Sequence, residues 1–345
     1  MNYTVIKKLP CAEDIIHAIP LSYKNQRAIQ AHRREIKSLL LGSDSRLLII
    51  VGPCSAWPKE AVLEYAERLA VLNTKVKHAL KLVMRVYTQK PRTTTGWTGT
   101  LYQPDPLSVP DVEAGLRYAR QTMIGVIDLG LAIGAEALFT HHRKGFLELL
   151  SWVAIGARSS ENPEHRMLAS SVDIPVGLKN PTHGSLMAAV NSVLAAQSSH
   201  TAVLEDAEIK TQGNPYAHLV LRGGNNMPNY SLSHLSTVNR LLAMYGIKHP
   251  SILIDVSHEN SIRHGIADFR LQEEIVFTII ESLKDRSDLK KSVKGFMVES
   301  FLKEGKQKID LETRSIDLGG LSITDPCLGW EQTEKLLLVL SEAHR

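Results

Sequence analysis

The sequence predicts an α/β chain folded as a closed (β/α)8 TIM barrel, with an N-terminal extension and a short inserted hairpin. Three observations carry this. Eight short aliphatic runs alternate with amphipathic segments, at 47–51, 82–87, 131–136, 153–157, 175–179, 218–222, 252–256 and 295–299. Eight alternating strand and helix units favour a closed barrel over an open sheet. The chain has 345 residues, within the range of about 200 to 400 typical of that fold. Residues able to bind metals or anions stand repeatedly where the runs end, and that end is where barrels keep their chemistry.

Residues 1–46 read as an arm and a helix, and 47–345 as the catalytic barrel. Pro10 and Pro20 punctuate the arm. From Ser22 to Leu41 polar residues carry spaced apolar ones, and Gly42 ends the helix. The arm has no core of its own and is expected to pack on the body or on another subunit. Amphipathic segments at 59–74, 111–130, 143–151, 184–197, 231–246 and 267–285 supply the intervening helices, and 328–343 a final one. Residues 199–217 hold a short apolar piece with no helix before the next run, which predicts an inserted hairpin. The Pro/Gly-rich pieces at 91–110 and 211–230 are loops between elements.

Composition excludes several functions. Hydrophobic residues make up 43% and charged ones 22%, ordinary values for a soluble domain. No apolar stretch approaches the ~20 residues of a membrane span, and no signal-peptide pattern opens the chain. The net charge of +4 is slight, and no basic-aromatic interleaving points to nucleic acid. Three cysteines, Cys11, Cys54 and Cys327, form no disulfide framework, which fits a reducing cytoplasm.

Two constellations carry chemistry. Cys54 follows the first run in LLIIVGPCS, His258 ends ILIDVSH, Glu299 lies in GFMVES, and Asp325 in SITD. Strands one, seven and eight are neighbours in a closed barrel, so these four side chains should converge. A thiolate, an imidazole and two carboxylates suit one divalent Mn, Fe, Co or Zn ion better than Ca or Mg. Each residue alone has an ordinary structural explanation; four at matching strand ends do not. Cys327 is either a bystander or a disulfide partner for Cys54 once metal is lost. The second set is cationic: Arg85, Lys90, Arg92, Arg158, Lys179 and Arg222. A cation at an aliphatic strand end is costly unless an anion meets it, and Arg forks suit phosphate and carboxylate. Gly223 and Gly224 allow close backbone approach. A ring of salt bridges to barrel acids is the competing explanation, and few acids are expected at these strand ends. The set predicts one polyanionic substrate or two anionic ones.

The segments GPCS, MRVYTQKPRTTTGWTG, SWVAIGARSSENPEHRMLAS, PVGLKN, LRGG, IDVSHENS, GFMVES and SITDPCLGWE together resemble the type I 3-deoxy-D-arabino-heptulosonate 7-phosphate (DAHP) synthases. The KPRTT loop separates this pattern from the related 3-deoxy-octulosonate 8-phosphate synthases. The resemblance runs from about Leu39 to the C-terminus. It implies an aldol-type condensation of phosphoenolpyruvate (PEP) with erythrose 4-phosphate, releasing phosphate and opening the shikimate pathway to the aromatic amino acids. It implies Cys54, His258, Glu299 and Asp325 as metal ligands. Arg85, Lys90, Ala157, Arg158, Lys179 and Arg222 would contact PEP, and Arg92 and Thr93 the sugar phosphate. Glu136 matches an acid near the PEP pocket, and His165 a family histidine. Lys90, His258 and Cys54 would serve catalysis, with Lys90 and the metal polarising the aldehyde oxygen. The resemblance also implies a homodimer or homotetramer.

Departures from that pattern cluster. Ala56-Trp57-Pro58 follows GPCS, Glu136 is followed by 137–143 ALFTHHR, and Lys179-Asn180-Pro181-Thr182-His183-Gly184 replaces a K-N-G-T-D-G run. The arm and the inserted hairpin are short. Positions around Phe139 to Arg143 and Asp173, equivalent to the family's regulatory pocket, are altered. The expectation is an enzyme without the usual feedback inhibition by Phe or Tyr, as would suit a supply line for secondary metabolism. Trp57-Pro58 and Pro181-Thr182-His183 leave open a different aldose phosphate as acceptor. A non-catalytic PEP-binding homologue is the remaining alternative.

Overall fold

In this computed structural model the chain is described at residues 1–91, 96–137, 145–204, 207–310 and 312–344. Helices α1 (Ala12–Ala18) and α2 (Tyr23–Leu41) precede strand β1 (Leu47–Gly52). There follow α3 (Lys59–Val76), β2 (Leu80–Arg85), α4 (Val112–Asp128), β3 (Ala132–Glu136) and β4 (Trp152–Ile155). Then come α5 (Pro163–Ser171), β5 (Val176–Lys179), α6 (Leu186–Gln197) and a hairpin of β6 (Thr201–Leu204) and β7 (Ala207–Lys210). The rest is β8 (Ala217–Leu221), α7 (Leu232–Met244), β9 (Ile252–Asp255), β10 (Ile262–Arg263), β11 (Ile266–Ala267), α8 (Leu271–Ser282), α9 (Ser287–Ser292), β12 (Val293–Glu299) and α10 (Trp330–Ala343).

Strands β1, β2, β3, β4, β5, β8, β9 and β12 close into one barrel in that order, with β12 returning to β1. Every neighbouring pair is parallel. Parallel strands covered on both faces are aliphatic throughout rather than alternating. In β1 all six residues of LLIIVG are buried. The predicted hairpin forms as the antiparallel β6–β7 pair.

Helix α2 packs into the main core through Ile29, Ile36, Leu39 and Leu40, at the end of the barrel where strands begin. Its Arg33 donates to the carbonyls of Leu150 and Leu147, at 2.8 and 2.7 Å. Lys81, opening β2, donates to Glu35 at 3.1 Å and lies 2.8 Å from His32 Nδ1. Burial and the Lys81 charge push His32 down to about 4.

One expectation is corrected, and one helix was not foreseen. The segment 143–151 is not an α-helix: its described part forms only a 3-10 turn, Leu147–Leu149. Gly145 in the left-handed region precedes it, and Arg33 takes the carbonyls that a longer helix would have used. Helix α5 lies in a stretch that yielded no helical signal. Asn162 caps it by accepting from the backbone N–H groups of Glu164 and His165, and Pro163 opens it.

Candidate active site

The barrel register fixes which side chains meet. Each barrel strand runs the same way, so the residues ending them share one face. Arg85, Glu136, Lys179, Asp255 and Glu299 are the last residues of β2, β3, β5, β9 and β12. Cys54, Arg158, Arg222 and His258 follow β1, β4, β8 and β9 within three residues. A cavity of about 550 Å³ opens among them. Its walls include Arg85, Lys90, Glu136, Ala157, Arg158, Lys179, Arg222, His258, Glu299 and Asp325.

On one wall, ligand atoms of Cys54, Glu299 and Asp325 lie within 4.8 Å of one another. His258 stands just outside that group, its Nε2 3.8 Å from Glu299 Oε1. Its other nitrogen, Nδ1, lies 3.0 Å from Asp255 Oδ2 and 2.7 Å from Ser257 Oγ. That anchorage turns Nε2 toward Glu299. His258 itself sits in the left-handed region, with φ of 55°, so the chain turns sharply just where the imidazole must point inward. Gln272 of α8 holds Glu299 from behind, accepting from its backbone N–H and donating to its carbonyl at 2.8 and 3.1 Å.

The charges explain one another. Burial, with Glu299 beside it, pushes the Cys54 thiol up to about 12, while Lys90 opposes. Lys90 Nζ donates to Cys54 Sγ at 3.0 Å and to its carbonyl at 2.8 Å. Burial would raise Asp325, but Lys90 and His258 hold it down at about 2. Two carboxylates and a buried thiol this close call for a cation between them. The donor set fits a borderline divalent metal.

The cations correct one expectation: acids do share these strand ends. Arg85 Nη2 donates to Glu299 Oε1 at 2.9 Å, Lys179 Nζ to Asp255 Oδ2 at 2.8 Å, and Arg222 Nη1 to Glu259 Oε1 at 2.5 Å. Asp255 is held well below the carboxylate range despite its burial, by His258 and Lys179. Asp255 and Glu259 escaped the sequence reading, although both lie inside the IDVSHENS segment. So did a buried amide relay that fixes the loops. Asn180 accepts from the Arg222 backbone N–H at 2.8 Å, Asn229 from Gly223 at 2.8 Å, and Asn260 from Asn229 at 2.8 Å.

The remaining candidates fall as follows. Gly156 leaves room for Glu136, whose Oε1 would sit 1.9 Å from any Cβ there. His165 is buried on α5 and does not line the cavity. Cys327 is buried and free, its Sγ 3.6 Å from the Asp325 carbonyl. Trp57 does not line the cavity but packs with Trp97 and Ile323. Of Pro181, Thr182 and His183, only Thr182 lines it. Asp173 pairs with Lys37 of α2. Arg92, Thr93 and 139–143 lie outside the described residues. Among the described residues no helix is long and apolar enough to cross a membrane.

The fold and the cavity define a class: a (β/α)8-barrel enzyme whose strand ends gather cations beside a cluster of metal-ligand side chains. Residues 20–338 match the model of the DAHP synthetase I family. The Tyr-sensitive phospho-2-dehydro-3-deoxyheptonate aldolase of Salmonella typhimurium is 40% identical over 330 residues, 94% of this chain and 90% of that one. The Phe-sensitive enzyme of Escherichia coli K12 is 37% identical over 343 residues, 98% and 95% of the two chains. The structure of phospho-2-dehydro-3-deoxyheptonate aldolase from Francisella tularensis superposes with a TM-score of 0.91 at 35% identity, over 99% of this chain and 98% of that one. The chain belongs to the DAHP synthetase I family.

Proposed function

We propose that the cavity holds PEP and erythrose 4-phosphate side by side, and that Cys54, His258, Glu299 and Asp325 hold one divalent metal there. The reaction, carried by family membership, is the condensation of PEP with erythrose 4-phosphate to DAHP and phosphate. The observation that supports this placement is the juxtaposition of cations and metal-type ligands in one cavity of about 550 Å³.

The metal, when bound, would supply Lewis-acid polarisation of an oxygen. The protein's own groups do the rest. Arg85, Arg158, Lys179 and Arg222 bind the anionic groups of PEP, with Arg85, Lys179 and Arg222 exchanging part of their pairing with barrel acids for the substrate. Lys90, anchored to the Cys54 carbonyl, presents its ammonium to the developing alkoxide. Arg92 and Thr93 hold the sugar phosphate. Placing two mutually repelling anions in contact gains effective concentration that solution cannot supply.

The enzyme is proposed to escape ordinary Phe or Tyr inhibition, on the strength of the altered 139–143 segment, even though relatives are named for those sensitivities. It is proposed to work as a homodimer or homotetramer, since Tyr3, Val5 and Ile6 of the arm are exposed apolar residues seeking cover. Three free cysteines suit a cytoplasmic setting.

The test is phosphate release by metal-loaded protein with both substrates, before and after EDTA, and with Phe, Tyr or Trp added. Release that EDTA abolishes and the amino acids leave unchanged supports the whole reading. No release with erythrose 4-phosphate, but release with another aldose phosphate, would overturn the acceptor assignment. Inhibition by tens of micromolar Phe or Tyr would sink the regulatory one.

A further inference from the structure

One side chain in the cavity is used by none of these roles. Tyr87 follows β2 by two residues and is 2% exposed. Its carbonyl accepts from the Ala56 backbone N–H at 2.9 Å, which fixes the backbone. The Arg85 guanidinium carbon lies 4.3 Å from the ring centroid and Lys90 Nζ 5.7 Å. The ring therefore attracts two of the site's cations at once. Its hydroxyl has no such use. It is buried, belongs to a residue lining the cavity, and has no hydrogen-bond partner among the described residues. Arg85 Nη1 is in the same condition.

A buried donor left unpaired is costly, and phenylalanine would supply the same ring without it. Burial keeps the phenol well above its ordinary range, with Glu136, Asp255 and Glu299 acting in the same sense against Arg85. The hydroxyl is thus a neutral donor. In a cavity lined by cations, its matching partner is an anionic oxygen.

Resting on the cavity assignment above, we propose that Tyr87 is a PEP-binding residue whose hydroxyl donates, together with Arg85 Nη1, to an anionic group of the substrate. The unpaired donors are then a socket that the ligand completes, and the aromatic ring holds Arg85 and Lys90 at the separation the two substrates need.

The experiment uses metal-loaded, full-length wild type, Tyr87→Phe and Arg158→Gln. PEP binding is measured by calorimetry, thermal stability without PEP is recorded, and KM is determined for each substrate. Tyr87→Phe should raise the PEP Kd and KM about tenfold, leave the erythrose 4-phosphate KM within about twofold, and leave the PEP-free melting temperature unchanged or higher. A PEP Kd unchanged in Tyr87→Phe but raised in Arg158→Gln would overturn the Tyr87 proposal alone. A Kd unmoved in both would overturn the cavity assignment with it. A lower PEP-free melting temperature in Tyr87→Phe would also refute it, because the hydroxyl would then be paired within the protein.

Discussion

His218 should make the barrel acid-labile by a calculable amount. It sits inside the barrel on β8, 2% exposed. Trp152 Nε1 donates to its Nε2 at 3.1 Å, and its Nδ1 lies 2.9 Å from the Tyr216 carbonyl. Indole N–H can only donate, so Nε2 is the bare acceptor and Nδ1 carries the proton. The neutral ring is fully satisfied. Protonating Nε2 would set it against the indole donor in a site water cannot reach. Burial accordingly pushes the imidazole from 6.5 down to about 4, the Tyr216 carbonyl opposing. The folded protein then binds the proton less readily than the unfolded chain. Its contribution is complete above the unfolded value of 6.5 and is lost as pH falls from there toward 4. The shift corresponds to about 3 kcal/mol in total, of which roughly 2 kcal/mol is lost between pH 7.5 and 5.0. Urea unfolding of wild type and His218→Gln at those two pH values measures it. Gln keeps an acceptor for Trp152 and does not titrate, and its intrinsic cost cancels in the pH difference. The wild type should lose about 2 kcal/mol more than the variant on acidification. Equal losses would refute the reasoning.

Other perturbations have equally definite outcomes. Cys54→Ser should drop bound divalent metal below one equivalent and cut phosphate release by at least about a hundredfold, read by metal analysis and turnover. Asp255→Asn removes the counter-ion of Lys179 and the anchor of His258, leaving a buried cation. It should lower stability by about 3 kcal/mol, with partial recovery of the melting temperature in millimolar inorganic phosphate. Gly295 of β12 has φ of 150°, and a Cβ there would lie 1.9 Å from the Leu48 carbonyl oxygen. Gly295→Ala should therefore cost more than about 3 kcal/mol and be visible as lost soluble yield.

The fold was legible because a barrel strand buried on both faces has to be aliphatic throughout. LLIIV, ILIDV and GFMVE announce themselves by that alone. Cys54, Glu299 and Asp325 were legible because closure makes the first and last strands neighbours, which turns distant positions into one wall. What escaped has physical reasons too. Helix α5 carries little apolar periodicity, and its Asn162-Pro163 start is a cap signal rather than a pattern. The stretch before β4 looks amphipathic because Leu149 and Leu150 are buried and Leu147 is partly so, yet Arg33 takes its carbonyls and it stops after one turn. Asp255 and Glu259 were hidden by context: a strand-end carboxylate reads as a further ligand or as a counter-ion, and only distances to Lys179 and Arg222 decide. Trp57 looked like a pocket residue because it follows Cys54 so closely, but its indole donates to the Pro104 carbonyl at 2.9 Å and faces a loop cluster.

The acids opposite Arg85, Lys179 and Arg222 have a further consequence. A cavity of bare cations would project a strong field, draw any phosphate compound from a distance and release its product slowly. Here each of those three cations already has a carboxylate neighbour, which weakens the field they project outside the cavity. On the proposed substrate placement, docking would be an exchange of one anion for another at short range, not long-range capture. Selectivity then rests on which molecule can engage several cations simultaneously, and a singly charged competitor gains little from any one of them. On the same placement, departure of phosphate would be eased, because a resident carboxylate stands ready to resume each contact. The measurable signature is a KM for PEP that changes only slightly with ionic strength, unlike that of an electrostatically steered site.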